Sequence, residues 1–225
     1  SGIFNLKEKL GPILWQFPPS FRFNPDLFEA FLAELPHDTG VACRIATKHD
    51  ERMNGTATSI DQPRPMRHAV EIRNQSFVDP SFVDMLRHYD IAMVVADTAK
   101  RWPEFEDVCA DFMYLRLHGA TELYVSGYTE EALNDWARRI EAWARGAQPG
   151  DAKLISHKAA PKRARRDVFC YFDNTDKVKA PSNAMRLLEK LGIQHVSTFS
   201  LDSGTVSKTA SKSVAAVSSA SNLNL

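Results

Sequence analysis

Most of the usual signatures of enzyme chemistry are missing from this 225-residue sequence. There is no GxGxxG, Walker loop, HExxH, GxSxG or CxxC, so dinucleotide, ATP, zinc-protease and serine-hydrolase chemistries lack their ordinary marks. Cysteine is scarce. Cys43, Cys109 and Cys170 lie far apart, odd in number and without ligand spacing, which indicates reduced thiols in a cytoplasm and no disulfide frame or zinc site. Neither sign of charge is in excess, with Lys plus Arg and Asp plus Glu at 28 each, so no global field draws the chain to nucleic acid or anionic lipid. No apolar run is long enough to span a bilayer, and no signal peptide opens the chain. Ser1 stands where a methionine would, which reads as a fragment or a processed product.

What is present suffices for one sizeable core: 44% of the residues are hydrophobic, and a single α/β domain is the expectation. Short apolar runs too brief for helices recur along the chain. Ile13 to Phe17 reads as a strand stopped by Pro18-Pro19, His68 to Arg73 as a second and Ile91 to Ala96 as a third. Met113 to Leu117 and Val168 to Phe172 complete the set. Helices are expected between them: one capped by Asn24 with Pro25 and ended by Pro36, and a weaker one over residues 41–52. Others are capped by Asp79 with Pro80, run over residues 129–144, and run from Pro181 to Leu191 with Gly192 as the stop. Residues 53–67 and the connection 99–110 read as irregular. Five βα units with strands apolar on both faces predict a parallel sheet covered by helices. Residues 1–200 form the expected domain, and the Ser/Ala-rich residues 201–225 a disordered tail.

Polar residues gather where the strands end. Gln16 precedes the first stop, Glu71 and Arg73 share a face, and Asp97 closes the third strand. Arg116 and His118 share a face of the fourth, and Asp173-Asn174 follow the fifth. In a parallel α/β sheet or barrel all carboxyl ends lie at one rim, where ligands bind. Glu71, His118 and Asp97 are the catalytic candidates. Gln16, Arg73, Arg116, Tyr124, Tyr128, Asp173 and Asn174 are the candidates for holding substrate. Glu71, Asp97, His118 and Asp173 are the candidate ligands should a divalent metal bind, and no nucleotide-cofactor motif occurs. The bland alternative is a buried ion-pair network that only fastens the sheet. Trp136 and Trp143, at helical spacing, read as core and not as a sugar platform. The basic residues between Lys153 and Arg166 read as a solvated, flexible loop in preference to a nucleic-acid surface, because no aromatics interleave them.

The segments KLGPILWQFPPSF, HAVEIRNQSF, ADFMYLRLHG, LYVSGYT and VFCYFDNT before PSNA together resemble the YecE-like family, domain-of-unknown-function family 72. The resemblance runs from about Lys7 to Gly192. It implies an incomplete TIM-type (β/α) barrel, with the five units standing as strands four to eight, and it implies no established activity. The GTSGW-like first strand and the VEINSTFY-like segment that open such proteins have no counterpart here. An enzyme-like rim for a small sugar or phosphate ester is therefore the leading expectation. A nucleic-acid module using residues 153–166, or an inactive truncated barrel, stands as the alternative. A small molecule is the expected partner, with no membrane association.

Overall fold

A computed structural model describes residues 2–49, 58–119, 127–173 and 179–193. Strand β1 (Ile13–Gln16) is followed by α1 (Pro25–Ala33) and α2 (Thr39–Ala46), then by β2 (His68–Glu71) and α3 (Pro80–His88). Next come β3 (Ala92–Asp97), β4 (Phe112–Leu117), α4 (Glu130–Ala144), β5 (Asp167–Phe172) and α5 (Lys179–Lys190). The strands form one five-stranded sheet in chain order, and every neighbouring pair is parallel.

The helix starts follow from short side chains that accept orphan N–H groups. The Asn24 side chain accepts from Leu27 N, that of Asp79 from Ser81 N and that of Thr129 from Ala132 N. Asp38 does the same for α2, which covers residues 39–46 and so begins and ends earlier than the expected 41–52. Helix α5 begins two residues before Pro181 and is followed by Gly192 at positive φ, a left-handed stop that glycine takes without steric cost. Connection 99–110 holds no helix, as expected. The tail 201–225 lies outside the described residues.

Alternation along each strand sends side chains to two different environments. Val70 and Met93 face outward beneath α1 and α3, with Phe28, Leu32, Phe82 and Leu86. Val95, Met113, Leu115, Leu117, Val168 and Cys170 face α4 and α5, where Trp136, Ile140, Trp143 and Leu187 complete the packing. Both tryptophans are thus core residues. The opposite face carries smaller residues, Ala69, Ala92, Val94 and Ala96, with Phe112, Tyr114, Leu14, Phe169 and Tyr171.

This inner face is concave. Strands three apart in a flat sheet lie about 14 Å from one another. Yet Arg67, just before β2, meets Asp167 at the start of β5 at 2.6 Å, and Arg116 of β4 donates to Gln16 of β1 at 2.8 Å. Side chains stand roughly perpendicular to a sheet, so such pairs meet only if it curls. Leu14 of β1 and Phe169 of β5 packing in one cluster requires the same curvature.

Residues 153–166 form the expected irregular and mostly solvent-exposed segment, but it is anchored at buried points. The Asp107 carboxylate accepts from Ile155 N at 2.7 Å and Ser156 N at 2.9 Å, and both residues are buried. Lys158 pairs with Asp84, Arg163 lies 3.6 Å from Asp90, and Arg166 is buried with a bond to the Pro161 carbonyl. Ile155 and Ser156 are therefore tied to the body of the domain by a carboxylate more than forty positions away in sequence.

Candidate functional site

The carboxyl ends of the strands are held in register by backbone bonds that extend past the strands themselves. Phe17 N donates to Glu71 O, His118 N to Asp97 O, and Asp173 N to Leu117 O. These ladders set Gln16, Glu71, Arg116, His118 and Asp173 at one rim. At that rim the inner-facing positions change from apolar to polar: Ala69 gives way to Glu71, Tyr114 to Arg116, and Tyr171 to Asp173.

Arg116 is the hub. One terminal nitrogen donates to both Gln16 Oε1 and Glu71 Oε2, and the other to Asp173 Oδ2. Glu71, with no solvent exposure, uses its second oxygen to accept from Arg73 Nε at 2.8 Å. Burial alone disfavours a charged Arg116, but the Glu71 and Asp173 carboxylates more than offset it and raise its pKa. The network is the compensated kind that a low-dielectric site tolerates: two carboxylates against two guanidiniums.

His118 is fully buried, and its Nδ1 lies 3.5 Å from Asp173 Oδ2. Burial, followed by the neighbouring Arg116 cation, lowers its pKa to about 4, so the imidazole is neutral at physiological pH. Gly119 directly after it adopts φ 126, a conformation other residues rarely take, and this lets the chain turn away beside the rim.

Asp97 does not join this group. Ala96 pairs with Arg116 in the ladder and shares its inner face, so Asp97, opposite Leu117, points to the outer, helix-covered side. There it accepts from the Tyr128 hydroxyl at 2.9 Å, and the same hydroxyl accepts from Gly119 N at 3.1 Å. Burial raises the pKa of Asp97, and burial together with the Asp97 charge raises that of Tyr128. Tyr128 is thus a buried brace behind the His118–Gly119 turn and not a lining residue of the rim. Tyr124 and Asn174 lie outside the described residues.

The expected metal set also fails to assemble. Among the described residues no three His, Cys, Asp or Glu side chains group as metal ligands. The physical reason is visible at Arg116: its guanidinium occupies the space between Glu71 and Asp173 where a cation would have to sit. Asp97 faces the other way.

Two residues of the connection after β3 carried no functional signal in the sequence. Trp102 lies in the connection after β3 with its ring 4.0 Å from the Arg73 guanidinium and 5.4 Å from that of Arg101. Glu104, two residues on, has its pKa raised to about 7 by burial and by the nearby Asp97 and Glu106 charges. A tryptophan-proline pair in an irregular connection marks a turn, but nothing local says what the indole will touch. A second concavity of about 450 Å³ lies away from the rim, beside β1, lined by apolar residues such as Ile13, Trp15, Leu35 and Ile45. His68 is in its wall, with Nδ1 accepting from Trp15 and Nε2 beside the Pro36 carbonyl.

Fold and rim together define a class: an α/β protein built on a curled parallel sheet, with a charged and hydrogen-bonded cluster at the strands' carboxyl ends. Residues 1–205 match the family described as protein of unknown function DUF72, and the chain belongs to that family. Two solved structures are similar to it. One is a DUF72 family protein from Thermotoga maritima, at 21% identity and a TM-score of 0.56, with 82% of this chain and 59% of that one covered. The other is a DUF72 family protein from Enterococcus faecalis, at 15% identity and a TM-score of 0.54, with 85% and 62% covered. The chain therefore spans about three-fifths of the length of each, and at these identities the likeness concerns the fold alone. No curated protein matches it. Among the described residues no helix is long and apolar enough to cross a membrane.

Proposed function

We propose that the rim formed by Gln16, Glu71, Arg73, Arg116, His118 and Asp173 is an enzyme-like site for a small polar or anionic molecule of the sugar or phosphate ester class. The observation that carries this reading is the incompleteness of the ion-pair network on one side. Among the described residues, no hydrogen bond occupies Arg73 Nη1 and Nη2, Gln16 Nε2 or Asp173 Oδ1. A network whose only task was to fasten strands would gain by using them. Donors and an acceptor left open at one rim suit a ligand that carries both hydroxyl and oxyanion groups.

In this reading His118, neutral at physiological pH, is the proton-transfer group, with Asp173 orienting its Nδ1 and stabilising the imidazolium when it forms. Glu71 positions Arg73 and Arg116 through its two oxygens, and Arg116 fixes Asp173. Asp97 acts from behind, through Tyr128, on the turn that follows His118. No step passes through a metal, since the carboxylates that would hold one are engaged by Arg116.

We read the curled sheet as strands four to eight of a TIM-type barrel, with residues 1–200 as the barrel domain, residues 201–225 as a tail and the cytoplasm as its compartment. The open concave face and the longer related structures support this arrangement. The test is a thermal-shift screen of the chain against ribose, ribose 5-phosphate, glucose, glucose 6-phosphate and glycerol 3-phosphate. Binding at a hundred times the Kd adds about 2.7 kcal/mol of stability, ample to detect. At least one compound raises the Tm of the wild type, and Asp173→Asn removes that rise. No shift with any compound, or an equal shift in the variant, overturns the assignment.

A further inference from the structure

We propose that Arg73, Arg101 and the indole of Trp102, presented by the turn Thr98–Trp102, form the subsite that takes the phosphate group of a phosphate ester. The subsite rests on the rim being a ligand site, and it commits that site to a ligand with a tetrahedral oxyanion end. It brings in Arg101 and Trp102, two residues that no sequence pattern marks.

Arg73 supplies the main observation. Its Nε is anchored by the fully buried Glu71 at 2.8 Å, and the face of its guanidinium lies 4.0 Å from the Trp102 ring centre. One edge and one face of the group are thus fixed. Its two terminal nitrogens carry no hydrogen bond among the described residues, although the side chain is only 13% exposed. A half-buried guanidinium held in plane, with its fork open, is preorganised for bidentate contact with a tetrahedral oxyanion.

The turn that brings the indole there is conformationally costly. Ala99 and Lys100 both adopt left-handed backbone, at φ 50 and φ 64, although neither is glycine. Such residues cost on the order of 1 kcal/mol each and persist only where their surroundings over-determine them. Here the buried Thr98 does so: its carbonyl accepts from Arg101 N at 3.1 Å and its hydroxyl from Trp102 N at 3.2 Å. Asp97 Oδ1 accepts from Ala99 N on the outer side of the same turn.

Charge selects the ligand. Within the rim, Glu71 and Asp173 already balance Arg73 and Arg116. Arg101 is exposed, and its guanidinium lies 5.4 Å from the same indole that meets Arg73, which adds a cation to the subsite. Of the acids near the turn, Asp97 faces the helix-covered side, where its two oxygens accept from the Tyr128 hydroxyl and from Ala99 N. An anionic ligand end compensates the added cation, and the open fork of Arg73 suits a tetrahedral oxyanion; a neutral sugar leaves that cation uncompensated.

Isothermal titration of the 225-residue chain at low ionic strength tests this, with inorganic phosphate, glucose 6-phosphate and glucose as probes. Phosphate and glucose 6-phosphate bind, and Arg73→Lys, which keeps the charge but loses the fork and the stacking, weakens both by about tenfold or more. Arg101→Gln, at an exposed position that leaves the Glu71–Arg73 bond intact, weakens both several-fold without lowering Tm. Glucose binding that is lost in Asp173→Asn, with no phosphate binding, overturns the subsite and leaves the rim reading standing. Phosphate binding unchanged by both arginine variants also overturns the subsite, and so does the absence of any phosphate binding.

Discussion

Glu71 is the residue whose removal costs most. It is fully buried and, among the described residues, is the only carboxylate that engages both Arg73 and Arg116. Taking away one partner of a buried ion pair leaves an uncompensated charge, which typically costs 3–5 kcal/mol. Glu71→Gln keeps the shape and one acceptor, so its expected loss is at the lower end, about 3 kcal/mol, read by urea denaturation at pH 7. A loss below about 0.5 kcal/mol would mean that the network holds nothing. His118 gives the pH dependence. Its folded-state pKa of about 4 lies below its ordinary 6.5, so the unfolded chain takes up the proton first as pH falls. Its contribution is complete above pH 6.5 and is lost on descending toward 4. Glu104 runs the opposite way, its pKa raised from 4.5 to about 7, so its stabilising contribution disappears as pH rises through that window. The two partly cancel in the wild type. Relative to wild type, His118→Gln therefore removes a rise in stability between about pH 4.5 and 6.5 and leaves the opposing Glu104 trend uncancelled, and Glu104→Gln stabilises the protein at pH 8 while changing little at pH 4.5. Denaturant midpoints measured across pH 4.5–8 decide both, and parallel curves for all three proteins would contradict both assignments.

At the scale of elements, what could be read from the chain was what neighbours in sequence determine. Asn24 and Asp79 cap helices because a short acceptor stands just before an apolar-periodic segment, and the five strands are apolar runs between breakers. The facing of Asp97 was not legible. Every residue of β3 before it is buried on one side or the other, so alternation says which residues share a face but not which face is concave. Only the pairing of Ala96 with Arg116 decides that. Residues 153–166 show the same limit, since their anchor is the remote Asp107 and not their own composition. Asp107→Ala removes a carboxylate that accepts two buried amides and should cost about 2–3 kcal/mol. It should also raise hydrogen exchange at Ile155 and Ser156 toward that of exposed backbone. Unchanged protection there would mean that packing alone holds the segment.

Across the whole molecule, curvature turns the ends of four strands, β1, β2, β4 and β5, into one site. In a flat sheet Gln16 and Arg116 would not meet, and Glu71, Arg116 and Asp173 would form a row with no hollow. The sequence contained the rim residues in order, but the curled inner face packs small residues such as Ala69, Ala92 and Ala96 in one cluster with Tyr114 and Tyr171, a packing relation invisible in any single segment. The most direct test of the account is an NMR titration of the isotope-labelled chain with glucose 6-phosphate, following backbone amides and arginine Nε signals together. Changes concentrated at Gln16, Arg73, Arg116, His118 and Asp173, with residues 153–166 and the trough beside β1 unmoved, are the expected result. Changes confined to either of those other regions, or none at the rim at saturating ligand, would contradict the central claim.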